Sequence, residues 1–453
     1  MAGTLSLLAI CLIPALMSGS APKVPAAKPA ANTQVLSILK QAAKLLAQLP
    51  PPEKETDISR VRQFTDLGEL LWRAGDPVNA RKAFAEAFAQ ANRVKPAPDD
   101  LKGGPAPMQT VAEGHAHARD FAGLEPLLKL LTDYKDPEGY SGKPRHSEVL
   151  REVALAQANA GDMKAAKATL AKIEDKFTRR FATMDFMSIL VKRGDVNAAQ
   201  ALLETFGEAD LPYATASMAS ALADAGKLPE AIALTASLEV PAEGSGSDLF
   251  APTNYKARAQ GHIAKVQAKA GDLAGAQKTL AMMTDRLDKA DALSALVLAQ
   301  RKAGDAAGAQ RSYAQCRAIR ADVEKNHFDF GDIGSSGMNA VQLEARAGKW
   351  DEARRLALFR LNDGSVFGPF ALDGLLYAYE EIGDYPGALA AANLAKDPGK
   401  YRYGIARSQA TEGDVVGALT WASAEASPSV KASALIGAAR GALDRADKAV
   451  HTP

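Results

Sequence analysis

A glycine that stops one helix, with an alanine five residues later in the next, returns along almost the whole of this 453-residue chain. The glycines are Gly75, Gly161, Gly194, Gly226, Gly271, Gly304, Gly348, Gly383 and Gly413, and a tenth copy has Arg119-Asp120 where the others have Gly-Asp or Gly-Lys. Five positions on stand Ala80, Leu124, Ala166, Ala199, Ala231, Ala276, Ala309, Ala353, Ala388 and Ala418. Successive copies lie 44, 42, 33, 32, 45, 33, 44, 35 and 30 residues apart. The longer steps carry an insertion of about ten residues over the ~34-residue period of a helical hairpin repeat. A unit this short cannot bury its own apolar face, so it must stack on its neighbours.

The local chemistry of each copy explains the spacing. The first helix, about residues −14 to −1 relative to the glycine, ends where glycine enters the left-handed region without a Cβ penalty. The aspartate that follows in Asp76, Asp162, Asp195, Asp272, Asp305, Asp384 and Asp414 is suited to cap the free amides opening the second helix. Pro77, Pro229 and Pro386 sit in that opening turn, where a missing N–H costs nothing. The recurrent alanine belongs where the second helix crosses the first, and a larger residue there would cost about 1–3 kcal/mol through overpacking.

In residues 64–87, Phe64, Leu67, Gly68 and Leu71 are answered across Gly75-Asp76 by Ala80, Phe84 and Ala87. Trp350-Asp351-Glu352-Ala353 follows Gly348-Lys349, and Tyr385-Pro386-Gly387-Ala388 follows Gly383-Asp384. Over about residues 57–425 the chain resembles the tetratricopeptide repeat family in a divergent, alanine-rich form: most units lack that family's first-helix aromatic residues and closing proline, with Ala154, Gln157, Ala264 and Gln267 standing there instead. The resemblance implies an all-α, right-handed α-solenoid of about ten helix-turn-helix repeats with flanking capping helices. It also implies that the first helices line a concave surface used to bind protein or peptide.

The ends of the chain read differently. Residues 1–21 form an apolar run with small residues at its end, the length of a secretory signal and too short to span a bilayer comfortably; cleavage is expected near residue 20, giving a periplasmic or secreted protein. Residues 22–32 read as a Pro/Ala linker, residues 33–56 as an N-terminal capping segment whose helix covers 33–49, and residues 426–453 as a C-terminal capping helix and tail whose helix covers 430–448. Once the leader is removed Cys316 is the only cysteine, and its place on an inner helix face marks it as a small buried hydrophobe. The insertions, at about 94–107, 133–146, 239–255 and 320–336, are rich in Gly, Pro, Asp and Ser and read as loops.

Charge and motifs narrow the function classes. Fifty-four basic residues against 53 acidic give a net charge of +1, which creates no field to gather nucleic acid. No phosphate loop, dinucleotide fingerprint or nucleophile elbow occurs at the required spacing. No cofactor and no metal is expected. His115 and His117 are two apart and cannot share a helix face; they read as solvated helix polar groups.

The position two before each hinge, on the last turn of the first helix, reads Arg73, His117, Asn159, Lys192, Asp224, Lys269, Lys302, Arg346, Glu381 and Thr411. With Lys265 one turn before Lys269, this makes a basic stripe suited to carboxylates or an acidic peptide. The competing explanation is that cations in a helix's last turn are favoured by the macrodipole in any protein, by ~0.3–1 kcal/mol each. Lys192, Lys265, Lys269, Lys302, Arg346 and Tyr377 are the candidate partner-binding residues, with Phe181 and Tyr403 as further aromatic anchors. The expected function is a non-enzymatic exported scaffold binding a protein or peptide. The alternatives are a helical-toroid enzyme acting on a polysaccharide, with Asp373, Glu380 and Glu381 as its acids, and a structural envelope protein using its edge loops.

Overall fold

The structure, a computed structural model, describes residues 29–50, 57–94, 106–134, 143–239, 254–326, 333–362 and 368–451. All 22 elements among these residues are α-helices, and there is no strand. Residues 1–21, read above as a secretory leader, and most of the residues read as linker and insertions lie outside the described residues. The chain divides into two compact units, one formed by its two ends (Met1–Ala182 and Gly399–Pro453) and one by its middle (Thr183–Pro398).

The terminal unit holds α1 (Pro29–Gln48), α2 (Ser59–Arg73), α3 (Pro77–Ala91), α4 (Ala106–Ala118), α5 (Phe121–Asp133), α6 (Lys143–Asn159) and α7 (Met163–Leu170). From the other end of the chain it takes α20 (Gly399–Thr411), α21 (Val415–Ala424) and α22 (Pro428–His451). The pairs α2–α3, α4–α5, α6–α7 and α20–α21 are hairpins, and first helix packs on first helix along α2–α4–α6 and from α20 to α22. The central unit repeats the pattern. Its hairpins are α10–α11 (Leu211–Asp224, Leu228–Ala236), α12–α13 (Tyr255–Lys269, Leu273–Ala281), α14–α15 (Arg286–Lys302, Ala306–Asn326), α16–α17 (Ile333–Arg346, Trp350–Asn362) and α18–α19 (Gly368–Glu381, Tyr385–Ala392). The remaining helices are α8 (Lys176–Lys192), along which the boundary between the units falls, and α9 (Val196–Leu203).

Each hinge works as its residues require. All nine glycines have φ between 75° and 110°. At the first, Gly75 N–H donates to Trp72 O (3.0 Å) and Asp76 N–H to Leu71 O (2.8 Å), closing the last turn of α2. Arg119 holds the same left-handed conformation in the tenth copy, with φ 61°. Asp76, Asp120, Asp162, Asp195, Asp272, Asp305, Asp384 and Asp414 each accept from the backbone N–H three residues on. The recurrent alanines, and Leu124, are all buried.

The glutamines in the first helices add a clamp. Gln157, Gln267 and Gln409, four residues before their hinges, accept from Thr169 (2.8 Å), Thr279 (2.7 Å) and Trp421 (2.8 Å) on the paired second helices. At Gly123, Gly275 and Gly387, four after the hinge, a Cβ would come within 2.6 Å of the His115 ring, the Gln267 amide and the Tyr379 ring respectively. A long side chain before the hinge is thus accommodated by a missing one after it.

Four boundaries and roles differ from the sequence reading. Helix α1 starts at Pro29, so the last residues of the 22–32 stretch are helical, and it ends at Gln48. Residues 320–326 continue α15, and residues 333–336 open α16. His115 is not solvated: it is buried, stacks on Phe84 (3.9 Å between centroids) and bonds the cap Asp120 through Nδ1 (3.0 Å). The helices at the two ends do not cover separate faces. They pack on each other, α1 against α22, with α2 touching both, because each leaves an apolar stripe that the other buries. Cys316 is fully buried; its thiol donates to Ala290 O (3.2 Å), and burial pushes it up to about 11.

Candidate functional site

In the central unit the last turns of three successive first helices are stitched together. The Arg346 guanidinium, at the end of α16, takes both oxygens of Glu381 at the end of α18 (2.9 and 2.6 Å) and donates to Ser294 Oγ (3.1 Å). Lys302 Nζ, at the end of α14, donates to the Glu381 carbonyl (3.0 Å), and Arg301 donates to the Arg346 carbonyl (2.8 Å). These cations therefore serve the carbonyl ends of neighbouring first helices, where the helix dipole is negative. Lys265 is paired with Asp291 (2.8 Å) and His262 with Asp224 (2.8 Å).

Of the six candidate residues, then, Lys265, Lys302 and Arg346 are engaged within the chain. Lys192 and Lys269 are exposed and make no hydrogen bond or ion pair among the described residues. Tyr377 is 54% exposed, on the same face of α18 as Phe370, two turns earlier and 48% exposed. The carboxylate of Glu381, an acid of the enzyme alternative, is taken up by Arg346.

The terminal unit carries a second cluster on its own first helices. Glu69 of α2 is nearly buried and receives Arg440 of α22 through two nitrogens (2.9 and 2.8 Å), with Arg73 at 3.5 Å and His117 of α4 at 3.6 Å. Arg440 also reaches Asp66 (2.8 Å), His117 reaches Glu152 of α6 (3.0 Å), and Arg73 reaches Asp444 (3.0 Å) and Asp447 (2.9 Å). Arg407 of α20 shares Asp444 (2.9 Å).

The electrostatics follow from burial set against these partners. Burial alone would raise Glu69, but His117 at 3.6 Å and the hydrogen-bonded Arg440 hold it at about 2. Burial pushes Asp66 up to about 6, against the pull of Arg440. His117, hydrogen-bonded to Glu152 and with the Glu69 carboxylate at 3.6 Å, rises to about 10. Burial raises Glu113 and the Tyr403 phenol as well. Glu69 is thus a fixed charge saturated by cations. Asp66 is a carboxyl that burial makes easier to protonate than an ordinary aspartate, with one oxygen on Arg440.

The sequence row two before the hinge named Arg73 and His117 but missed Asp66, Glu69 and Arg440. The signal for Glu69 lay in its register: six before the hinge, one turn below Arg73, with Glu113 at the same place in the next repeat. Nothing local announced Arg440, whose partner on α2 is 371 residues away in sequence. Tyr403 is half-buried beside this cluster, and Phe181 packs edge-on against Phe177 (4.6 Å) beneath Arg180. Among the described residues no group of three or more His, Cys, Asp or Glu could hold a metal ion. No helix there is long and apolar enough to cross a membrane. Comparison with known family models and with curated proteins returns no match.

Proposed function

We propose that this chain is a binding scaffold of the divergent tetratricopeptide type, a right-handed solenoid of hairpins that takes a protein or peptide on the first-helix face of its central unit. In this reading it is exported, its leader removed near residue 20, and works without chemistry of its own. The observation that carries the reading is the pairing of Phe370 and Tyr377, both about half exposed on one face of α18, with the ion-paired row of Lys302, Arg346 and Glu381. Large aromatic side chains beside a preorganised polar row are the usual anchors of a polypeptide interface. Because Lys302 and Arg346 are already engaged, Lys192 and Lys269 are the cations left for an acidic partner.

The test is affinity capture from the envelope fraction with the wild-type chain and with the Phe370→Ala/Tyr377→Ala double variant. Polypeptides held by the first and lost by the second support the reading. Identical retained sets, with the variant folded, overturn it. Lys192→Glu/Lys269→Glu, which touches no internal ion pair, then tests the charge preference.

A further inference from the structure

Helix α1 is bound in the manner of a ligand. Val35, Ile38, Leu39, Ala42 and Leu46 are buried at spacings of three and four, while Lys40, Gln41, Lys44 and Gln48 on the other side are exposed. One amphipathic face laid into a groove is a standard mode of helix recognition. The groove belongs to α22 and α2, its main packing partners. Arg60 of α2 fixes the exit of the helix, donating to Leu46 O (3.2 Å) and Pro50 O (2.6 Å). The groove wall is held from behind by close packing: a Cβ at Gly437 or Gly441 of α22 would run into the α20 carbonyls of Tyr403 and Arg407.

Two features separate α1 from a repeat hairpin. No glycine-hinge turn joins it to the helix it packs on; its main mate, α22, lies at the opposite end of the chain. Its link to α2 carries Pro50, Pro51 and Pro52 in sequence and no glycine. A helix that reaches its groove through such a link finds the same groove on another copy with the same contacts, which is the condition for segment exchange.

We propose that the α2–α22 groove is a receptor for α1 in trans as well as in cis, so that the α1 of a second copy can replace the chain's own and join two copies. The cis helix has the advantage of an effective concentration on the order of millimolar, so exchange in the intact chain shows at high protein concentration or when the link is cut. The site is independent of the aromatic face of the central unit.

The experiment places a specific protease site between Pro50 and Asp57 in the full chain and cuts it. The freed helix is expected to stay bound through gel filtration and to exchange with a labelled peptide of residues 29–48 at one per chain. The Leu39→Ala/Leu46→Ala peptide should bind at least ~100-fold more weakly. In the uncut chain, α1 amides should exchange with solvent as a group ahead of those of α2 and α22. Loss of α1 without uptake of the peptide, while the other helices hold, overturns the proposal. So does α1 protection in the uncut chain that disappears only with global unfolding.

Discussion

The two units build the same hairpins and spend their first-helix faces differently. In the terminal unit that face is filled: α22 lies on α20 and touches α2, and Arg440 meets Glu69 and Asp66 where solvent has been displaced. On that face of the central unit the Arg346–Glu381 pair is shallower, Glu381 keeping 35% of its side chain exposed, and Phe370 and Tyr377 are about half exposed. The contrast shows what a repeat face can be used for. Covered, it becomes a core whose charges must be paired because burial makes them costly; uncovered, it is free to meet something else.

The largest test of that contrast is the carboxylates themselves. Glu69→Ala removes a buried carboxylate from Arg440, which keeps Asp66, and from Arg73, which keeps Asp444 and Asp447, and is expected to cost about 3 kcal/mol. Glu381→Ala removes a carboxylate 35% exposed, leaves Arg346 its bond to Ser294, and should cost about 1–2 kcal/mol. Denaturant titration of the two variants reads the difference, and equal losses would erase the distinction between the faces. Next, Ala166→Leu in the terminal unit and Ala276→Leu in the central unit should each cost about 1–3 kcal/mol, and by similar amounts, because the hairpin crossings are the same in both. Unequal costs would show that the units differ in their hairpins as well as in their faces.

Smaller, and signed by protonation, is the pH response. Glu69, lowered from 4.5 to about 2, adds stability that is full above 4.5 and lost as pH falls towards 2. Asp66, raised from 3.8 to about 6, makes its ionised form costly, so stability falls as pH climbs from 3.8 to 6. His117, raised from 6.5 to about 10, contributes fully below 6.5 and loses its contribution as pH rises towards 10, in part only, because 43% of the side chain is exposed. Thermal melts should therefore place the optimum at about pH 4. Asp66→Asn should flatten the fall between 4 and 6. It will not abolish it, since Asp288 in the central unit, raised to about 6 mainly by burial, has the same sign. Smallest is Arg119→Gly, which removes a left-handed arginine costing ~1–2 kcal/mol against the extra chain entropy of glycine. A net gain of about 0.5 kcal/mol is expected, and a loss would mean that the Arg119 side chain matters more than its backbone.

What the sequence displayed was whatever is decided within a few residues. The hinge glycines, their capping aspartates and the buried alanines depend on φ, on a free amide and on volume, and each appears at a fixed offset. Gln157 and Gln267 read as departures from a pattern because their partners, Thr169 and Thr279, lie across the hinge, twelve residues on. The basic stripe was visible, yet its occupants were not: Lys302 and Arg346 are held by a residue 79 and 35 positions away. The pairing of Arg440 with Glu69 was out of reach altogether. No periodicity connects α22 to α2; only the packing of the two chain ends does.

The clamp across the hinge has a further consequence for how such a chain can change. At Gly275 and Gly387 the space left by glycine is filled by Gln267 and Tyr379 from the other arm of the hairpin. An arm fits a sibling's partner only where the pair matches, as among Gln267/Gly275, Gln300/Gly308 and Gln409/Gly417; elsewhere the exchange leaves a void or a collision. Recombination within the array is tolerated where both arms travel as one piece, so the heritable block here is the bent pair and its borders fall between hairpins.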